Sequence, residues 1–135
     1  MVNAMKKVFV CSPYRGDTKK NTEKAAFAAK ILSESGHMPV APHLYFPNFL
    51  DDNDQYERIR GIELGIELMK ECDLLWLLGP SITPGMEYEL EVAKELRIPV
   101  RMYDDKFKQI NPKTLILDER VDDHFRSVVK GLKFK

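Results

Sequence analysis

The chain is 135 residues long, 44% apolar and 31% charged, with 21 basic and 21 acidic residues that cancel. That length fits a single domain, residues 1–135, with enough chain to bury a core, and the composition is that of a globular protein, not a disordered one. A zero net charge argues against a nucleic-acid partner, whose binders carry a basic excess, and no apolar run approaches the roughly 20 residues of a membrane span.

Only a short apolar stretch follows the two lysines near the start, too little for a signal-peptide core. The two cysteines, Cys11 and Cys72, each sit in an apolar run and read as reduced core thiols, so the expected compartment is the cytoplasm.

Residues 7–12 (KVFVCS) form a β-rich apolar run closed by Pro13, which predicts a first buried strand. Asp17 or Thr18 can cap the helix that follows, where Ala25, Ala28, Ala29 and Leu32 fall at helical spacing before a stop at Gly36. Residues 37–41 predict a second strand. Residues 42–54, rich in Pro and aromatics and without periodicity, predict a loop long enough to be functional.

Asp54 can cap a second helix with a stripe of Ile59, Ile62, Ile66 and Met69. Residues 73–78 (DLLWLL) read as a third strand covered on both faces. A turn-rich loop, residues 79–84, then leads into a helix over 85–97. Residues 98–103 predict a fourth strand, 114–117 a fifth, and 122–132 a last helix.

Strands alternating with helices imply right-handed crossovers and an α/β fold. The expected form is a flavodoxin-like or Rossmann-like three-layer sandwich. Its parallel sheet would have four to five strands in the order 2-1-3-4-5. Such sheets bind ligands at the carboxyl ends of the first and third strands, where the order reverses.

The segment PGMEYELEVA holds the most informative side chain. At about 100° per residue, Met86, Leu90, Ala93 and Leu96 share one face, and Glu89 falls inside it while Glu87 and Glu91 point to water. A carboxyl group on the inner face is costly unless it is paired or used. The adjacent helix N-terminus favours its charged form, and Arg15 is a possible ion-pair partner.

Three further segments supply candidate binding groups. After the first strand, Ser12, Tyr14 and Arg15 provide hydroxyl and guanidinium donors, and Gly16 permits close backbone approach. Before the inner-facing helix, Gly79, Ser81, Thr83, Gly85 and Met86 could cradle a phosphate or sugar hydroxyl. His43, beyond the second strand, could hydrogen-bond a ligand. Neither GxGxxG nor GxxxxGK[ST] occurs. The histidines lack partners at metal-ligand spacing, so no metal is expected. Asp51 and Asp52 read as a solvated loop and Asp54 as a cap.

The segments CSPYRGD, APHLYFPNFLDD, CDLLWLLG and S-x-x-PGM-x-x-EL-x-x-A-x-x-x-x-IPV together resemble the nucleoside 2-deoxyribosyltransferase-like superfamily, within a small branch of it. The likeness runs from Val8 to Tyr103. It implies a flavodoxin-like fold and cleavage or exchange of the N-glycosidic bond in 2-deoxynucleosides or their 5′-monophosphates, without metal or organic cofactor. It also implies a homodimer or larger assembly whose partner completes the pocket.

By the same resemblance the catalytic residues are Glu89 as nucleophile and Tyr14 as its positioner, with Ser81–Gly85 facing the 5′ group. The family's second acid, about two helical turns before the third strand, corresponds here to Gly65. Base protonation would then use His43, Glu67 or a neighbouring subunit. The rival expectation is a catalytically inactive nucleotide-binding module of the same fold. A third is a structural subunit whose crevice is filled by Phe46 and Phe49.

Overall fold

The computed structural model describes residues 4–110, 116–117, 123 and 131–135. The first strand, β1 (Lys7–Cys11), alternates Val8 and Val10 toward one face of the sheet with Phe9 and Cys11 toward the other, as the period of two requires. Helix α1 (Thr18–Glu34) begins where the Asp17 side chain accepts the Lys20 N–H at 3.1 Å. It closes into Gly36, whose φ of 84° lies in the left-handed region that suits glycine.

Strand β2 (Met38–Val40) follows. The segment expected to be a loop holds two short helices instead. They are α2 (Pro42–Tyr45) and a 3-10 turn (Phe46–Asn48), each with a proline in its first positions, where a missing N–H costs no bond. Elements this short leave no periodicity to read.

Helix α3 (Gln55–Met69) starts on Asp54, whose carboxylate accepts the N–H groups of Tyr56 and Glu57 at 2.9 and 3.1 Å. Its stripe divides. Met69 is buried, but Ile59 and Ile62 are 47% and 43% exposed, because this part of the helix borders open space and not the sheet.

Strand β3 (Leu74–Leu78) is buried throughout, as expected for a strand covered on both faces. The two-residue strand β4 (Ser81–Ile82) precedes helix α4 (Pro84–Glu95), and β5 (Val100–Tyr103) completes the main sheet. That sheet is parallel, with order β2-β1-β3-β5, which is the 2-1-3-4 arrangement of the sequence reading.

The expected fifth strand, β6 (Ile116–Leu117), does not extend it. It pairs in parallel with β4 to make a separate two-stranded sheet. The helix expected over residues 122–132 falls mostly outside the described residues.

The core lies in two layers. Leu32, Ala25 and Ala28 of α1 pack on Val8, Val10 and Trp76, and α4 covers the opposite face with Met86, Leu90 and Ala93. Leu96, expected on the inner face of α4, caps that helix and is 40% exposed. Among the described residues no helix is long and apolar enough to cross a membrane.

Candidate functional site

A cavity of about 220 Å³ opens beyond the carboxyl ends of β1 and β2, and its walls are mostly apolar. The loop after β1 contributes Ser12 and Tyr14, α2 contributes Pro42 and His43, and the first turns of α4 contribute Gly85, Met86 and Glu89. Helix α3 closes another side with Ile62, Gly65 and Ile66. Gly65 is buried against Pro42.

Glu89 reaches this cavity because α4 begins where the sequence requires it. Thr83 accepts the Met86 N–H at 3.3 Å as the N-cap, and Pro84 follows at the first helical position. The phase so fixed turns Met86, Leu90 and Ala93 into the core and Glu89 to the cavity wall. Glu87 and Glu91, expected to point to water, are half-buried.

Glu89 as a whole residue is also half-buried, yet its Oε1 is sealed from solvent and has no hydrogen-bond partner among the described residues. Burial pushes its carboxyl up to about 8, against a smaller opposing pull from a hydrogen bond with the Cys11 thiol. Ser12, 2% exposed, likewise has an Oγ without a partner. Two orphaned polar groups therefore line one largely apolar chamber. Buried polar atoms are rarely left so, and a catalytic role is one of the recognised reasons.

Tyr14 and His43 stack with ring centroids 5.0 Å apart and form one wall. Burial pushes the His43 imidazole below its usual range, although a Ser12 backbone hydrogen bond and the Asp52 charge oppose this. At neutral pH it is therefore an uncharged ring and not a cationic acid.

Arg15 does not reach for Glu89. Its Nε donates to Asp52 Oδ2 at 2.7 Å and its Nη2 to the Asp52 carbonyl at 3.0 Å, tying the loop after β1 to the loop before α3. Asp52 is thus part of a clasp at the rim and not simply solvated. Arg58 lines the cavity with no side-chain partner among the described residues.

Phe46 is buried in the wall and meets Phe49 edge-on at 5.9 Å, while Phe49 is 54% exposed. Phe46 borders the chamber without filling it, and Phe49 lines the adjoining cleft instead. Gly16 lies in an adjoining open cleft, with a φ of 98° that suits glycine. Gly79 and Ser81 are absent from the cavity lining. Gly79 is enclosed by Met102 and its carbonyl accepts a hydrogen bond from Lys24 Nζ at 3.2 Å, while Ser81 is exposed on β4.

The structure therefore gathers Ser12, Tyr14, Arg15, His43, Gly85, Met86 and Glu89 around one space and leaves Gly16, Gly79 and Ser81 outside it. Arg58 and Asp52 were not singled out by sequence as cavity residues. Thr83 was visible as a T-P step at a helix start, the usual signature of a cap. Among the described residues, no group of three or more His, Cys, Asp or Glu comes together to hold a metal.

Residues 6–103 match a family model described as a domain of unknown function, DUF7768. No curated protein matches the chain. Solved structures resemble its fold, two of them as follows. One, reported with the characterization of a 2-deoxyribosyltransferase from the psychrotolerant bacterium Bacillus psychrosaccharolyticus, is 17% identical. It has a TM-score of 0.63, with 90% of this chain and 95% of that chain covered. The other, a conserved protein from Enterococcus faecalis V583, is 18% identical with a TM-score of 0.62, covering 97% of this chain and 90% of that one. At such identities the likeness is one of fold.

Proposed function

The chain belongs to the DUF7768 family, and from that premise we propose that it cleaves or transfers the N-glycosidic bond of a (deoxy)nucleoside or nucleoside 5′-monophosphate, with Glu89 as the nucleophile. The carrying observation is the Glu89 carboxyl group itself: sealed, unpartnered at Oε1 and set in the wall of a cavity. The fold shared with a 2-deoxyribosyltransferase supports the same reading.

In this mechanism ionised Glu89 attacks C1′ while the base departs, through an oxocarbenium-like transition state. A water molecule or a second base then attacks C1′ and frees the carboxylate. Tyr14 and Ser12 orient the sugar, and Arg58 is placed to meet an anionic substituent. The departing base takes its proton from water. His43 is held neutral by burial, and Glu67 is engaged with Lys70 at 2.7 Å away from the cavity lining. No step requires a metal or organic cofactor.

A homodimer or larger assembly belongs to this reading. Tyr56, Ile59 and Ile62 of α3 and Tyr88 of α4 leave apolar surface exposed, and two of them, Ile62 and Tyr88, edge the cavity. A second copy seated there would complete its mouth. The free thiols Cys11 and Cys72 suit a cytoplasmic setting.

The test is release of free base from a panel of nucleosides and 5′-monophosphates, followed by chromatography. Turnover is expected with at least one of them, rising with pH through about 8 as Glu89 ionises. Glu89→Ala should lower it about a thousandfold or more. Undiminished turnover in that variant would remove Glu89 from the mechanism.

The second reading, a binding module without turnover, is favoured by Gly65 standing where the resemblance places an acid. A nucleotide that raises the melting temperature and is recovered intact would establish it.

A further inference from the structure

The end of α4 away from the chamber borders another cavity, of about 310 Å³. It is lined by Ala93, Lys94, Arg97, Ile98, Gly131 and Lys133, and it shares no residue with the chamber around Glu89. Ala93 and Ile98 are buried, while Lys94, Arg97 and Lys133 are exposed.

The backbone that carries these cations is fixed locally. The Arg97 N–H donates to the Lys94 carbonyl at 3.1 Å and the Ile98 N–H to the Ala93 carbonyl at 3.0 Å. Such a pair of bonds ends a helix on a left-handed residue, usually glycine. Here that residue is Arg97, with a φ of 59°. Lys133 comes from the far end of the chain, and its carbonyl accepts the Val100 N–H at 2.7 Å beside the bridge between Val100 and Phe134. The Lys94 side chain lies against Gly131, where an added Cβ would come within 2.8 Å of its Nζ and 2.9 Å of its Cδ.

Among the described residues, none of these three side chains has a hydrogen-bond or ion-pair partner, and no carboxylate shares the lining with them. A helix C-terminus by itself accounts for one cation, because its carbonyls sum to about half a negative charge. Three positive charges exceed that by roughly two and a half. They repel one another until an anion enters.

We propose that this cavity binds a small multivalent phosphate, the size of a diphosphate, through Lys94, Arg97 and Lys133. The Arg97 guanidinium offers a planar fork for two phosphate oxygens, and the lysines act as point charges beside it. The volume lies at the small end of ligand pockets, which suits a diphosphate. The buried Ala93 and Ile98 give apolar contact to any organic group attached to it. This site goes beyond the glycosidic reading and does not depend on it.

The experiment is calorimetric titration of inorganic pyrophosphate into the full chain at low ionic strength. The wild type should bind one equivalent with a dissociation constant below about 1 mM. Arg97→Gly places the favoured residue at the left-handed position, so the variant should fold at least as stably and bind about tenfold more weakly or worse. Lys133→Gln should lose affinity to a similar extent. Arg58→Gln, in the chamber, should bind as the wild type does.

A nucleoside diphosphate titrated in parallel separates the two sources of this chemistry. Equal affinity means that phosphate alone is read, and tighter binding that Arg97→Gly weakens means that a nucleotide is the occupant. A wild-type chain that does not bind pyrophosphate overturns the proposal. So does binding that is lost in Arg58→Gln and kept in Arg97→Gly, which would move the anion to the chamber.

Discussion

The two faces of the central sheet each bury an unpartnered polar group, and they differ in what lies in front of it. On the α1 face, the Trp76 indole N–H has no partner among the described residues, but it is packed among Val8, Val10, Leu32 and Leu78 and its ring meets Tyr103 at 4.5 Å. On the α4 face, Glu89 Oε1 and Ser12 Oγ are equally orphaned and line an open chamber. An unsatisfied atom is therefore not by itself a mark of function. Space beside it for a ligand makes the difference.

Mutation can break or sharpen this contrast. The largest effect on stability is expected on the α1 face. Leu32→Ala empties a fully buried position and should cost about 2–5 kcal/mol in chemical denaturation, while ligand affinity of the folded fraction stays unchanged. A loss of affinity would mean that the two faces are coupled.

Next comes Glu89→Gln. A carboxyl raised from 4.5 to about 8 holds its proton in the folded state and loses it in the unfolded one across that window. Wild-type stability must therefore fall as pH rises through it. The variant lacks this slope. Its melting temperature should match the wild type near pH 4 and exceed it by several degrees at pH 8. An advantage that shrank with rising pH would contradict the burial of that carboxyl.

A smaller and more selective effect should separate the two kinds of orphan. Ser12→Ala deletes a buried hydroxyl that bonds nothing, so stability should hold or rise by up to about 1 kcal/mol, while nucleoside binding, read by calorimetry, weakens. Trp76→Phe deletes the other orphan and should leave binding alone. The smallest effect belongs to Asp52→Ala. The clasp with Arg15 joins side chains 46% and 32% exposed, and its loss should cost no more than about 1 kcal/mol.

Much of this contrast is legible in the sequence. The unbroken apolar run of β3 announces a strand covered on both faces, and the caps at Asp17 and Asp54 set helix starts that the structure keeps. The spacing of Met86, Leu90 and Ala93 brings Glu89 to the inner side of α4.

Periodicity fails where elements are shorter than their own repeat. The turns at Pro42–Tyr45 and Phe46–Asn48 show no pattern, and β4 and β6 are two residues each. It also fails where contacts join distant segments. The Arg15–Asp52 clasp spans 37 residues and the Cys11–Met86 contact 75, so no local window contains both partners.

Gly65 offers a practical handle. A methyl group added there would meet only Pro42, at 3.8 and 3.9 Å, which is ordinary van der Waals contact. The same change raises intrinsic helix preference by up to about 1 kcal/mol. The chamber can thus be narrowed at this position without weakening the scaffold. A short series of side chains at Gly65 would act as a gauge, trimming the volume in steps and reporting, by which compounds are shut out first, how large the natural occupant is.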